Sequence, residues 1–242
     1  MISVCMTTYN GERFIKQQLQ SILMQLGEHD EVIAVDDGST DETLAVIEAL
    51  GDARVRVNVN RNNLGPMRSF ELGLAQAKGE IIFLADQDDV WWPDKVSKMQ
   101  KALDQGAWLA IHDAVVTDGE LHELDGSWNH FNHNQFGRRV MSTVIKNPYT
   151  GAMMAFRRAL LPKILPFPAK APMHDWWIGA VCLKEHLPIA TLPDQLMDYR
   201  RHGGNVTGNG HHIGEMIRSR LGMVDALCHY QSGAKPEGGL HD

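Results

Sequence analysis

The sequence predicts an α/β fold built on a parallel sheet with helices on both faces. Three observations lead there. Short apolar runs alternate four times with helical stripes over the first hundred residues, the pattern of repeated strand–helix units. The strongest of those runs are apolar throughout, as strands covered on both faces are. The segments that follow them, TTYN, DDGSTD, NRNNLG and DQDD, are all polar and two are rich in carboxylates. Ligands of such sheets bind at the carboxyl ends of the strands.

Taken in order, Ile2 to Met6 is long enough for a buried strand and too short for a helix. Phe14, Leu19, Ile22, Leu23 and Leu26 then recur at helical spacing, with Asn10 or Gly11 near the start. Glu31 to Asp36 is a second strand. Ser39 and Glu42 have capping-box spacing and predict a helix with Leu44, Ile47 and Leu50 inward. Val55, Val57 and Val59 alternate with polar residues as a half-exposed third strand. Phe70, Leu74 and Ala77 mark the next helix, and Glu80 to Ala85 the most apolar strand. Trp92, Val96, Met99 and Leu103 predict a helix beginning near Trp92, with Pro93 in its first turn. Beyond residue 104 the pattern loosens. Trp108 to Val116 and Gly151 to Phe156 read as strands, Leu121 to Gly137 as a long polar loop, and His174 to His186 as a helix. Ile189 to Leu192 and Leu196 to Tyr199 read as two short strands, and Ile213 to Tyr230 as a modest helix before the frayed GAKPEGGLHD end.

The chain has 242 residues, 30 acidic against 23 basic, for a formal charge of −7. A chain of this length buries roughly 70% of its unfolded surface without disulfide or zinc support. The acidic balance argues against a nucleic-acid partner, which clustered Lys and Arg would attract. Cys5, Cys182 and Cys228 have no CxxC spacing and read as reduced thiols of a cytosolic protein. The start, MISVCMTTYN, lacks a signal peptide's basic and apolar regions, and no stretch of about 18 apolar residues is present. These features predict a cytoplasmic protein, or one resting on the cytosolic face of a membrane without crossing it.

The strand ends carry the candidate chemistry. In an extended segment residues i and i+2 point the same way, so Asp86 and Asp88 of DQDD can converge on one point. Two convergent carboxylates with room for water and phosphate oxygens suit Mg²⁺ or Mn²⁺; solvated helix caps are the plainer reading of a lone DxD. An EF-hand lacks its glycine and distant glutamate. Asp37, after the second strand, either caps a helix or accepts a hydrogen bond from a nucleobase imide, with Thr7, Thr8 and Tyr9 lining the same base. An aspartyl-phosphate nucleophile would need a second acid where Gly38 stands, and the GxGxxG dinucleotide fingerprint is missing after the first strand.

Together these segments resemble glycosyltransferase family two, inverting nucleotide-sugar transferases of the GT-A fold. The resemblance covers roughly residues 1 to 205. It rests on MISVCMTTYNGERF, DDGSTDET, NLG at Asn63 to Gly65 and ADQDDVWWPDK at Ala85 to Lys95, then on TGAMMAF at Thr150 to Phe156, MHDWW at Met173 to Trp177 and YRRHGGN at Tyr199 to Asn205. Their order is similar to that of the bacterial rhamnosyltransferase-like subgroup. The resemblance implies one GT-A domain over 1–205, with a nucleotide-sugar half at 1–104, an acceptor half at 105–205 and a helical tail at 206–242. It further implies that Thr7, Tyr9, Asp37 and Arg68 bind the nucleotide and that Asp86 is shared between ribose and metal. Asp88 and His202 would be metal ligands, and Asp175 the catalytic base. The implied cofactor is Mn²⁺ or Mg²⁺, the donor a dTDP- or UDP-sugar, and the acceptor a saccharide or lipid-linked saccharide of a bacterial cell surface. A non-catalytic nucleotide-sugar-binding subunit is the alternative from another class. A nucleotidyltransferase is disfavoured for want of a glycine- and lysine-rich phosphate loop.

Asp175 poses an electrostatic question. A helix start favours its anion, whereas crowding by Trp176 and Trp177 disfavours it; an ionised carboxylate at neutral pH is expected, and an ordinary N-cap is the plainer role. His174 reads as a capping or supporting histidine. Trp91 and Trp92 read as packing beneath the DQDD loop, with bordering the sugar as the alternative for either, and Trp176 and Trp177 as core residues or sugar-stacking platforms. His130, His133, His211 and His212 read as solvated. Arg218 and Arg220 beside Ile217 and Leu221 allow weak membrane-surface contact; packing on the body or on a second subunit, a homodimer, is the other reading.

Overall fold

Among the described residues nine strands form one continuous sheet, in the order β3 (Val55–Val59), β2 (Glu31–Asp36), β1 (Ile2–Thr8), β4 (Ile81–Asp86), β8 (Met154–Arg157), β6 (Leu109–Thr117), β9 (Ile189–Arg200) and β5 (Val90–Trp91), with β7 (Glu123–Asp125) paired to β6. This computed structural model describes residues 1–203 and 213–232. Gly204, Asn205, His211, His212 and the GAKPEGGLHD end lie outside the described residues, as does the 205/206 boundary.

The first half follows the sequence closely. β1 (Ile2–Thr8), β2 (Glu31–Asp36), β3 (Val55–Val59) and β4 (Ile81–Asp86) are parallel, linked by α1 (Ile15–Leu23), α2 (Thr43–Glu48) and α3 (Pro66–Leu74). In β1, β2 and β4 almost every residue is buried, so both faces are covered, while β3 at the edge is half exposed. β1 runs two residues past its apolar run, because Thr7 and Thr8 still pair with Val35 and Asp36.

Two local expectations fail here. The Ser39–Glu42 capping box does not form: the Ser39 hydroxyl donates to Asp36 Oδ2 at 2.6 Å, and α2 starts only at Thr43, whose N–H donates to Asp41 Oδ1. The helix after DQDD begins at Lys95, not near Trp92. Val90 and Trp91 are first drawn into β5 (Val90–Trp91), antiparallel to β9, and Pro93 precedes the cap of α4 (Lys95–Asp104).

The second half is mixed rather than parallel. β6 (Leu109–Thr117) pairs with the short β7 (Glu123–Asp125), which interrupts the expected long loop together with α5 (Trp128–Phe131). After α6 (Val140–Ile145), Gly151–Met153 make a 3-10 turn in place of the strand's start, and β8 (Met154–Arg157) runs antiparallel to both β4 and β6. α7 (Leu161–Ile164) and α8 (His174–Lys184) follow. The two short strands expected around Pro193 are one, β9 (Ile189–Arg200), parallel to β6. Its register jumps from Ile111–Thr191 to Asp113–Gln195, and that irregularity takes up Pro193, which has no N–H to give a ladder. α9 (Ile213–Cys228) ends two residues earlier than its apolar spacing suggests. No helix among the described residues is long and apolar enough to cross a membrane.

Candidate functional site

The register of the parallel strands brings the polar ends together: Thr8 lies beside Asp36 and Thr7 beside Asp86. They open onto a cleft of about 310 Å³ whose lining includes Thr7, Tyr9, Asp37, Asp86, Asp88 and, from α8, Asp175. Six of the eight residues singled out in the sequence therefore share one cavity. His202 reaches it through Asp88. Arg68 is not among its lining residues; on α3 its exposed guanidinium pairs with Glu71 one turn on.

The two aspartates of DDG divide their work. Asp36 is fully buried and wholly engaged: Oδ1 accepts from the Gly38 and Ser39 amides at 3.1 and 2.8 Å, and Oδ2 from the Thr8 and Ser39 hydroxyls at 2.9 and 2.6 Å. Asp37 faces the cleft and gathers the loop after β3. Its Oδ1 accepts from Asn60 Nδ2 and the Leu64 amide, both at 2.8 Å, and its Oδ2 from the Gly65 amide at 2.7 Å. Burial pushes the Asp37 pKa up, but these hydrogen bonds outweigh it and hold the carboxyl below its usual range. Gly65 has φ +81°, so the NLG sequence reflects a left-handed turn that presents the amide.

Gln87, between the two DXD carboxylates, is a site residue that the sequence reading missed. Its amide makes a two-point clamp on the Tyr9 backbone, Nε2 to Tyr9 O and Tyr9 N to Oε1, each 2.9 Å. A Cβ at Gly11 would lie 2.1 Å from Gln87 Oε1, so the glycine of TTYNG leaves room for the clamp. The clamp fixes the end of β1 to the end of β4. Nothing local signals it, because the partners are 78 positions apart.

At the acidic end, Asp88 is buried and its Oδ2 lies 2.7 Å from His202 Nε2, whose ring rests on Phe14. Burial first, then the charges of Asp88 and Asp175, push the Asp86 carboxyl up, so Asp86 and Asp175 feel one another across the cleft. Asp89 is buried too. One oxygen accepts from the Arg200 amide at 3.2 Å, and Oδ2 has no partner among the described residues. Beneath them lies Lys95, fully buried. Its Nζ donates to Ala152 O at 2.7 Å, contacts Met197 Sδ at 3.2 Å and sits 4.1 Å from the centre of the Trp91 ring. Burial pulls its pKa down to about 7, against the carboxylates of Asp89 and Asp86.

Among the described residues no group of three His, Cys, Asp or Glu side chains is arranged to enclose a metal. The donors fit a different kind of site. Two carboxylates on one loop, with the charge of Asp88 pressing on Asp86, suit a hard divalent cation whose remaining ligands are water and phosphate oxygens.

Across the cleft, Asp175 stands in the first turn of α8, one position past His174; the N-cap is Met173, so the carboxylate is not the cap. Oδ1 accepts from its neighbour Trp176's amide at 2.5 Å and from Asn147 Nδ2 at 3.3 Å, and Oδ2 from the Gly151 amide at 3.2 Å. Burial is the largest influence and pushes its pKa to about 6 despite these bonds. Desolvation therefore wins over the helix start, leaving a carboxylate ionised at neutral pH but more basic than a free one.

The tryptophans prove to be packing. Trp176 and Trp177 are both buried, the latter donating to Ile164 O at 2.9 Å, so neither is a platform for a sugar ring. Trp91 is buried under the acidic loop as expected, and Trp92 is half-buried. His174 lies against Phe70, with ring centres 4.1 Å apart and both nitrogens without partners among the described residues. Burial lowers its pKa to about 3, so it is neutral and neither caps the helix nor carries a proton. His130 and His133 are exposed.

A family model for glycosyl transferase family 2 matches residues 3–165. An uncharacterized glycosyltransferase of Haemophilus influenzae is 33% identical over 241 residues, covering 95% of this chain and 93% of its own length. Another from Nostoc is 29% identical over 84% of this chain, which spans 66% of that protein. Among solved structures, Staphylococcus aureus TarS 1-349 in complex with UDP-GlcNAc superposes with a TM-score of 0.69 at 20% identity, over 95% of this chain and 67% of that one. Glucosyl-3-phosphoglycerate synthase from Mycobacterium tuberculosis, in complex with Mn²⁺, UDP and glucosyl-3-phosphoglycerate, gives 0.62 at 22% identity, over 98% and 82%.

Proposed function

Because this chain belongs to glycosyl transferase family 2 and has the GT-A fold, we propose that it is an inverting glycosyltransferase. It moves a sugar from a dTDP- or UDP-sugar, with rhamnose among the candidate sugars, to a hydroxyl of a cell-surface saccharide or lipid-linked saccharide. One observation carries the reading: the Asp86–Asp88 pair and Asp175 face one cleft from two different elements, and Asp37 and Tyr9 line the same cleft.

The roles follow from the chemistry. Tyr9 and the Asp37 loop receive the pyrimidine, with the Gln87 clamp holding Tyr9 in register with the acidic loop. Asp86 and Asp88, with His202 beside them, would hold Mn²⁺ or Mg²⁺. Such an ion offsets the charge that grows on a departing diphosphate. Asp175 accepts the proton from the acceptor hydroxyl as that oxygen attacks the anomeric carbon. The new carbon–oxygen bond forms as the bond to the diphosphate oxygen breaks, the nucleoside diphosphate leaves with the electron pair, and the anomeric centre inverts. Burial has already raised the basicity of Asp175 without neutralising it at pH 7. Closure of the acceptor over the carboxylate would raise it further.

The test is a panel of sugar nucleotides, read by thermal stabilisation with Mn²⁺ or EDTA and by release of nucleoside diphosphate. Stabilisation by a pyrimidine sugar nucleotide, and loss of release in Asp88→Ala with the fold retained, are the expected results. Wild-type release by Asp88→Ala in EDTA would overturn the mechanism.

A further inference from the structure

Residues 126–174 contain no Asp or Glu and seven Lys or Arg, in a chain whose formal charge is −7; the rest of the chain therefore carries −14. Part of that positive charge is spent internally: Lys163 pairs with Glu185 and Lys170 with Asp225. Arg138 and Arg139, just ahead of α6, are exposed and form no ion pair among the described residues. Lys146, just after α6, is exposed and among the described residues bonds only to main-chain oxygens of Asn132 and His133.

Between these cations α6 turns Thr143 and Val144 inward and leaves Met141 and Ile145 61% and 64% exposed. α9 packs against α6 and behaves in the same way. Met223, Ala226 and Leu227 are buried against the body, while Ile217, Leu221 and Val224 form a second apolar stripe at i, i+4 and i+7 that is left exposed. Arg218 and Arg220 lie beside that stripe and also form no ion pair among the described residues. Two packed helices thus present apolar side chains among five cations, against which α9 sets the exposed Glu215 and the half-buried Asp225, the latter paired with Lys170.

We propose that the α6–α9 face docks on an anionic lipid bilayer. Charge decides the occupant. A second copy meeting this face about a two-fold axis would bring the same five cations together. Anionic headgroups complement them, and the interfacial region accepts Met, Ile and Leu side chains. The position of the face adds a consequence that rests on the glycosyltransferase reading above, whereas the docking itself does not. α6 ends two residues before Asn147, whose side chain donates to Asp175. A bilayer under α6 would place a lipid-linked acceptor at the Asp175 end of the cleft.

The experiment is co-sedimentation of the full chain with vesicles of phosphatidylcholine, alone or mixed with phosphatidylglycerol. Binding is expected only to the mixed vesicles and should fall with salt. Arg138→Gln/Arg139→Gln should weaken it about twentyfold, at roughly fivefold per cation, and Ile145→Ser/Leu221→Ser should also weaken it. Both double variants should keep the wild-type melting temperature and donor binding, so that loss of docking is separated from failure of the catalytic reading. Equal binding to both vesicle types, or to neither, would overturn the proposal. So would a dimer in sedimentation equilibrium that Leu221→Ser dissolves.

Discussion

Replacing Asp175 by Asn should abolish transfer and yet stabilise the protein at neutral pH. Asp175 is 6% exposed, and burial moves its carboxyl from an ordinary 3.8 to about 6. A carboxyl raised in the folded state binds its proton more tightly there than in the unfolded chain. Below pH 3.8 both states are protonated and nothing is lost. As pH rises from there to about 6, the unfolded chain ionises first, and stability drains away to a full cost of roughly 3 kcal/mol at pH 7. Asparagine has no charge to desolvate, so it escapes that cost. It offers one acceptor oxygen where the carboxylate uses two, and the lost bond to Gly151 or Trp176 takes back about 1 kcal/mol. The net expectation is a gain of about 2 kcal/mol at pH 7, a rise in melting temperature of roughly 4–8 °C for a chain of this size. At pH 4 the gain should vanish or reverse. Calorimetric melting from pH 4 to 8, beside a product assay, checks both halves. A variant less stable than wild type across that range, or one that still transfers sugar, would refute the reasoning. In the wild type kcat/KM should fall tenfold per pH unit below about 6, because only the ionised carboxylate accepts a proton.

Two further perturbations separate binding from chemistry. Gln87→Ala leaves Tyr9's exposed backbone to water, so stability should change by less than about 1 kcal/mol; donor KM should rise severalfold with kcat little altered, as steady-state kinetics would show. Lys95→Met removes the buried amine below Asp86 and Asp89 and with it the donor to Ala152 O, leaving that buried carbonyl unpaired and destabilising the fold by about 1–3 kcal/mol. Binding of Mn²⁺ alone, followed by calorimetry, should nonetheless tighten, since a like charge has been taken from beside the site.

The sequence by itself determined the strand–helix alternation of the first half and the placement of polar residues at the strand ends. Both are local consequences of periodicity: a fully apolar run such as Val32 to Val35 has to be covered on two faces, and its polar successor has to lie at an edge. The motif set also carried the family, and with it the proposal that Asp37, Asp86, Asp88, Asp175 and His202 make up the site. What only the tertiary structure decided depends on distant partners. β9 is one strand through Pro193 because β6 supplies a bulged register, and Ser39 abandons its capping box because Asp36 is a better acceptor in three dimensions. Arg68 turns to Glu71 rather than to the cleft, while Gln87 reaches back to Tyr9. The basicity of Asp175 belongs to the same class. Its helix position argues for a stabilised anion, and only the depth of its burial, set by packing against the rest of the chain, pushes the carboxyl the other way.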